Sequence, residues 1–114
     1  MEERVYLSML LGVYGSLLTD KQRNIMKLYY DDDLSLSEIS ELTTTTRQAI
    51  YDIIRRCHKT LVNYEENLKL LSKYDKSEKL KKSIKEELIR VKQKAKDNEI
   101  LKAIDDIENK LEEI

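Results

Sequence analysis

Apolar residues recur at three- and four-residue intervals along most of the chain, and the gaps between these runs fall at short polar segments. Val5-Tyr6, Met9-Leu10, Val13-Tyr14 and Leu17-Leu18 have the spacing of one apolar helical face and predict a helix over residues 3 to about 18. Thr19 and Gln22 then have the form of a capping box, in which the threonine accepts from first-turn amides and the glutamine reaches back. A second helix follows, with Ile25, Met26, Leu28 and Tyr29 inward. It ends near Asp31-Asp32-Asp33, where three carboxylates oppose the negative end of the helix dipole. Ser35 and Glu38 repeat the capping box and launch a helix of barely two turns, residues 36 to about 42, with Leu36, Ile39 and Leu42 on its inner side.

Thr43 to Thr46 oppose continuation, because threonine is stiff at its first side-chain torsion and competes with the backbone for hydrogen bonds. The last of them can cap a new helix starting at about Arg47. Along that helix Ile50, Ile53, Ile54, Cys57 and Leu61 face inward, and the spacing of Leu61, Tyr64, Leu68 and Leu71 extends it as a coiled-coil-like seam. Asp75 and Glu78 give the next turn signal, around residues 73–77. Leu80, Ile84, Leu88, Val91 and Ala95 form another stripe, and Asp97-Asn98 opens a last helix whose seam is Ile100, Leu101, Ile104, Ile107, Leu111 and Ile114. The expected fold is all-α: a helix-turn-helix domain over residues 1–64 with an extended recognition helix, and a helical hairpin or dimerisation arm over residues 65–114.

Composition narrows this further. The 114 residues include no proline, two glycines (Gly12 and Gly15) and 38% charged side chains, which leaves little room for strands or long loops. A chain of this size builds one modest core, supplemented by helix packing or self-association, and no large enclosed pocket. Cys57 is single, which excludes an internal disulfide, fits a reducing cytosol and is read as half-buried. The first eighteen residues lack a basic flank and a small-residue cleavage pattern, so neither a signal peptide nor a membrane span is expected, and the protein is expected to be soluble and cytoplasmic.

The net charge of −1 hides an uneven distribution. Residues 1–60 hold 8 Lys/Arg against 9 Asp/Glu, residues 69–96 hold 11 against 4, and residues 97–114 hold 2 against 7. Either the basic block answers the acidic tail across an antiparallel helix pair, or it docks on phosphate.

Candidate chemistry concentrates on the helix after the threonine turn. Thr46, Arg47, Gln48, Tyr51, Arg55, Arg56 and Lys59 are left toward solvent or a partner. Arginine can pair with guanine and glutamine with adenine in a major groove, whereas Thr46, the helix N-terminal amides, Arg55, Arg56 and Lys59 suit phosphate. A plain three-helix packing module is the alternative. His58 is read as a boundary residue, and the Asp31-Asp33 run as a turn, because consecutive carboxylates diverge and no further ligands follow at calcium-loop spacing. With one His, one Cys, no Gly-rich phosphate loop and no paired acids, no enzyme, metal or cofactor is expected.

The stretches Leu18-Thr19-Asp20-Lys21-Gln22-Arg23, Leu28-Tyr29-Tyr30-Asp31-Asp32-Asp33-Leu34-Ser35-Leu36-Ser37-Glu38-Ile39 and Arg47-Gln48-Ala49-Ile50-Tyr51-Asp52 resemble the YlxM-like helix-turn-helix proteins of Gram-positive bacteria and mollicutes, and more distantly the fourth region of sigma factors. The resemblance implies a sigma-region-4-like fold, and the helix-turn-helix itself points to a DNA-binding regulatory protein. From the family's usual gene neighbourhood the resemblance also implies a link to the signal recognition particle pathway. Contact with the signal recognition particle protein or its RNA, without DNA binding, is the second reading, and a homodimer through the C-terminal helices accords with either. Against the family pattern this chain carries Ser40 for a small Ala, Thr44 for the turn Gly and Thr45 for a buried Val. A left-handed threonine costs on the order of 1 kcal/mol and a buried hydroxyl needs a partner, which predicts a rearranged or loosened turn.

Overall fold

The computed structural model describes residues 2–114. Among them are six α-helices and no strand: α1 (Glu3–Tyr14), α2 (Asp20–Tyr30), α3 (Leu36–Thr43), α4 (Arg47–Leu68), α5 (Leu70–Lys94) and α6 (Asn98–Glu112), with a 3-10 turn at Gly15–Leu17. The chain divides into two compact units, one ending at Leu71 and the other Ser72–Ile114.

Local chemistry starts most helices where the sequence places them. At α2 the Gln22 amide donates to Thr19 Oγ1 (3.2 Å) and the Thr19 amide to Gln22 Oε1 (3.0 Å), and Ser35 with Glu38 builds the same box at α3. Asp97 caps α6 by accepting from the Glu99 amide at 2.9 Å. The acidic run after α2 is tied back onto α1: Arg4 donates to Asp33 at 2.9 Å and to the Tyr29 carbonyl, and Ser8 donates to Asp31. Among the described residues no group of three or more His, Cys, Asp or Glu could hold a metal ion, and no helix is long and apolar enough to cross a membrane.

In the first unit α1 packs on α2 and α4, and α3 packs on α4 and α2. Leu7, Leu10, Leu11, Tyr14, Ile25, Met26, Ile39, Ile50, Cys57 and Leu61 are buried between them. The inward face of α1 and its following turn is shifted from the one the spacing predicts: Leu10, Tyr14 and Leu18 of the expected set are buried and are joined by Leu7 and Leu11, while Val5, Met9, Val13 and Leu17 are exposed. Apolar residues cover about two thirds of the circumference of this helix, at about 100° per residue, so periodicity alone does not fix the centre of the buried side. Leu42, expected inward, is 67% exposed, and Cys57, expected half-buried, is only 2% exposed.

The largest departure lies at the end of α4. The expected turn at residues 73–77 is helical, and the break falls at Lys69, whose φ of 56° closes α4 one residue before α5 begins. Tertiary partners fix it there. Tyr14 Oη donates to Glu65 Oε1 at 2.7 Å, the Leu70 amide donates to Tyr14 Oη at 3.1 Å, and the Leu71 amide donates to Glu65 Oε1 at 3.0 Å. Two first-turn amides of α5 thereby find acceptors on α1 and α4. Burial, together with donation to Glu65, pushes the Tyr14 phenol above its ordinary pKa.

In the second unit α5 and α6 run antiparallel, as Lys85 pairs with Glu112 and Lys92 with Asp105 (2.9 Å). Ile104 and Leu111 are buried. The bond from Lys85 holds the Glu112 carboxyl below its usual range, and the bond to Asp105 raises Lys92.

Candidate nucleic-acid interface

The candidate interface lies on α3, the threonine turn and α4. Thr44 adopts the left-handed conformation (φ 52°, ψ 34°) that the family pattern reserves for glycine. The turn is not loosened by this. Thr43 Oγ1 donates to the Ile39 carbonyl (2.7 Å), Thr44 Oγ1 to the Thr43 carbonyl (2.7 Å), Thr45 Oγ1 to the same carbonyl (3.1 Å) and Ser40 Oγ to the Thr45 carbonyl (2.5 Å). The Thr45 hydroxyl, which needs a partner at this position, has one, and the side chains of Ser40, Thr44 and Thr45 bind the turn through local backbone acceptors.

Thr46 ends the turn and caps α4, accepting from the Ala49 amide at 3.1 Å; its hydroxyl hydrogen remains available to donate outward. Thr46, Arg47, Gln48, Tyr51, Arg55, Arg56 and Lys59 are all exposed, while Ile50, Ile54, Cys57 and Leu61 hold the opposite side of the helix in the core. Arg47, Tyr51, Arg55 and Lys59 stand at four-residue intervals and form one stripe, with Gln48 beside it. Gln48 leans along the helix, donating to Asp52 at 3.3 Å. At about 100° per residue Arg56 lies roughly half a turn from Arg47, at the margin of the surface. None of these cations takes part in an ion pair among the described residues.

Beside the stripe opens a cleft of about 450 Å³ lined by Tyr29, Tyr30, Leu36, Tyr51, Ile54, Arg55, His58 and Lys59. Tyr29 and Tyr30 are absent from the set read from the sequence. Their rings meet edge-to-face at 4.9 Å, and the Arg4 guanidinium lies 4.7 Å and 5.4 Å from their centroids. The only hint in the sequence is a pair of tyrosines where a helix of this amphipathicity needs one inward aromatic. His58 sits at the rim, 3.0 Å from Glu3.

Residues 1–112 match the family described as "UPF0122: Putative helix-turn-helix protein, YlxM / p13 like". Similar relatives include a UPF0122 protein of Clostridium acetobutylicum, 61% identical over 108 residues that cover 95% of this chain and 93% of the relative. Another, from Clostridium perfringens, is 52% identical over 114 residues, covering 100% of this chain and 97% of the relative. A third, from Clostridium novyi, is 47% identical over 109 residues and covers 96% and 95%. With the turn, the cap and the exposed face of α4 in place, and a family match running almost end to end, the chain belongs to the UPF0122 family of YlxM/p13-like helix-turn-helix proteins.

Proposed function

We propose that this protein is a cytoplasmic, non-catalytic regulator that binds duplex DNA through the N-terminal half of α4. The observation that carries the reading is the local charge of the exposed helix face. Residues 1–60 are balanced overall, yet residues 46–59 present Arg47, Arg55, Arg56 and Lys59 against the single acid Asp52. They project from a helix whose capped N-terminus is open to solvent, the geometry that lets first-turn side chains reach base edges. On this reading Arg47 and Gln48 read bases, Tyr51 packs against the groove, and Thr46, Arg55, Arg56 and Lys59 hold phosphates.

The test is binding to genomic DNA fragments and to structured small RNA across a salt series. Arg47→Ala is expected to cost about 1–3 kcal/mol and to relax preference at one base, whereas Arg56→Ala weakens all sequences alike. Equal small losses from both substitutions would remove base readout. An accessory role in the signal recognition particle pathway rests on the family resemblance, and selective, Arg47-independent binding of RNA would favour it over DNA.

A further inference from the structure

The two edges of the α5–α6 hairpin are chemically different. One is closed by the ion pairs Lys85–Glu112 and Lys92–Asp105. At about 3.6 residues per turn, Leu80, Ile84 and Val91 of α5 and Ile100, Ile107 and Ile114 of α6 lie on the flank of each helix away from those pairs. Among the described residues no ion pair closes this second edge. Leu80, Val91, Ile100 and Ile107 are 43–62% exposed and Ile114 is 74% exposed. A two-helix unit of this size cannot enclose both stripes by itself.

The charges bordering the edge indicate what covers it. Beside the apolar stripe of α5 stand Glu87 and Lys94, and beside that of α6 stand Glu99, Asp106 and Lys110. All are exposed, and none takes part in an ion pair among the described residues. A twofold axis parallel to the helices lays α5 of one copy on α6 of the other at the register of the hairpin's own ion pairs; Lys94 then comes level with the span between Glu99 and Asp106, and Glu87 level with Lys110, so that each copy meets the opposite sign.

We propose that the open edge is covered by the same edge of a second copy of this chain, α5 of one copy lying on α6 of the other. The product is an antiparallel four-helix bundle with Leu80, Ile84, Val91, Ile100 and Ile107 inside and two charge rows along its sides. This inference is independent of what α4 binds.

Sedimentation of the full chain over a dilution series tests it. A dimer is expected, and Ile107→Asp weakens the dimer at least about tenfold while the far-ultraviolet helical signal is retained, because position 107 is a surface position in one copy. A charge exchange supplies the second arm. One variant carries Lys94→Glu, and another carries Glu99→Lys and Asp106→Lys. Each alone pairs poorly with itself, and the two mixed together pair as well as the native chain. A monomer at every concentration, a dimer indifferent to Ile107→Asp, or charge variants that pair with themselves as well as the native chain does would each overturn the proposal.

Discussion

Among the described residues three that are not glycine, Asp33, Thr44 and Lys69, hold left-handed backbone, while neither glycine does. Aspartate tolerates that region; a β-branched threonine does not, because its Cβ substituents crowd the adjoining carbonyl. Thr44 is held there by the flanking helices and by the hydroxyl bonds around Thr43. Thr44→Gly is therefore expected to stabilise the first unit, by about 1 kcal/mol after the greater freedom of glycine in the unfolded chain is set against relief of strain. Chemical denaturation checks the sign, and a midpoint lowered relative to the native chain would show that the hydroxyl contributes more than the strain removes.

At the scale of single helices, Glu38 gives α3 a pH dependence. Hydrogen bonds from the Ser35 backbone amide and side chain hold its carboxyl below its ordinary value. A depressed folded pKa means that the contribution is present above the unfolded value, near pH 4, and is lost as pH falls through the lower folded value. Glu38→Gln keeps the reach-back bond without the titration, so its melting temperature should fall less steeply than that of the native chain on acidification below about pH 4. Parallel curves would assign the acid sensitivity to other carboxylates.

The same helices show what could be read from the chain and why. Thr19 with Gln22, Ser35 with Glu38, Thr46 and Asp97 are legible because a cap and its partner lie within three residues. The exposed set on α4 is legible because its opposite face is plainly apolar. The inward side of α1, the exposure of Leu42 and the break at Lys69 are not, since each depends on partners far along the chain. Tyr14 and Glu65, which receive the amides of α5, are separated by 51 residues. The Tyr29–Tyr30 side of the cleft is hidden for the same reason: it takes shape only when the end of α2 meets α4.

Over the whole molecule, the basic block and the acidic tail are joined through particular residues. Lys85 and Lys92 answer Glu112 and Asp105, and Lys81 donates to the Ile114 carbonyl (3.3 Å) and Glu78 (3.4 Å), while Lys79 and Lys82 make no such pair among the described residues. Replacing Lys79, Lys81, Lys82 and Lys85 with Gln should lower the melting temperature by a few degrees at most, because exposed ion pairs contribute little. Binding to duplex DNA and its salt slope should stay as in the native chain. A slope flattened by these changes would place phosphate contacts on α5.

Cys57 sits in the core directly beneath the exposed stripe of α4, and burial pushes its thiol pKa up. A thiol so enclosed reacts with an alkylating reagent only during the brief openings that expose it, so its modification rate is a clock for the opening of the first unit. Any ligand that grips the outer face of α4 in the closed form must slow that clock without touching the sulfur, by a factor of one plus the ratio of free ligand to its Kd. Labelling with and without a DNA duplex thus measures occupancy of α4 from the inside. A rate unchanged by saturating duplex would mean that the bound DNA does not depend on the closed form, or sits elsewhere.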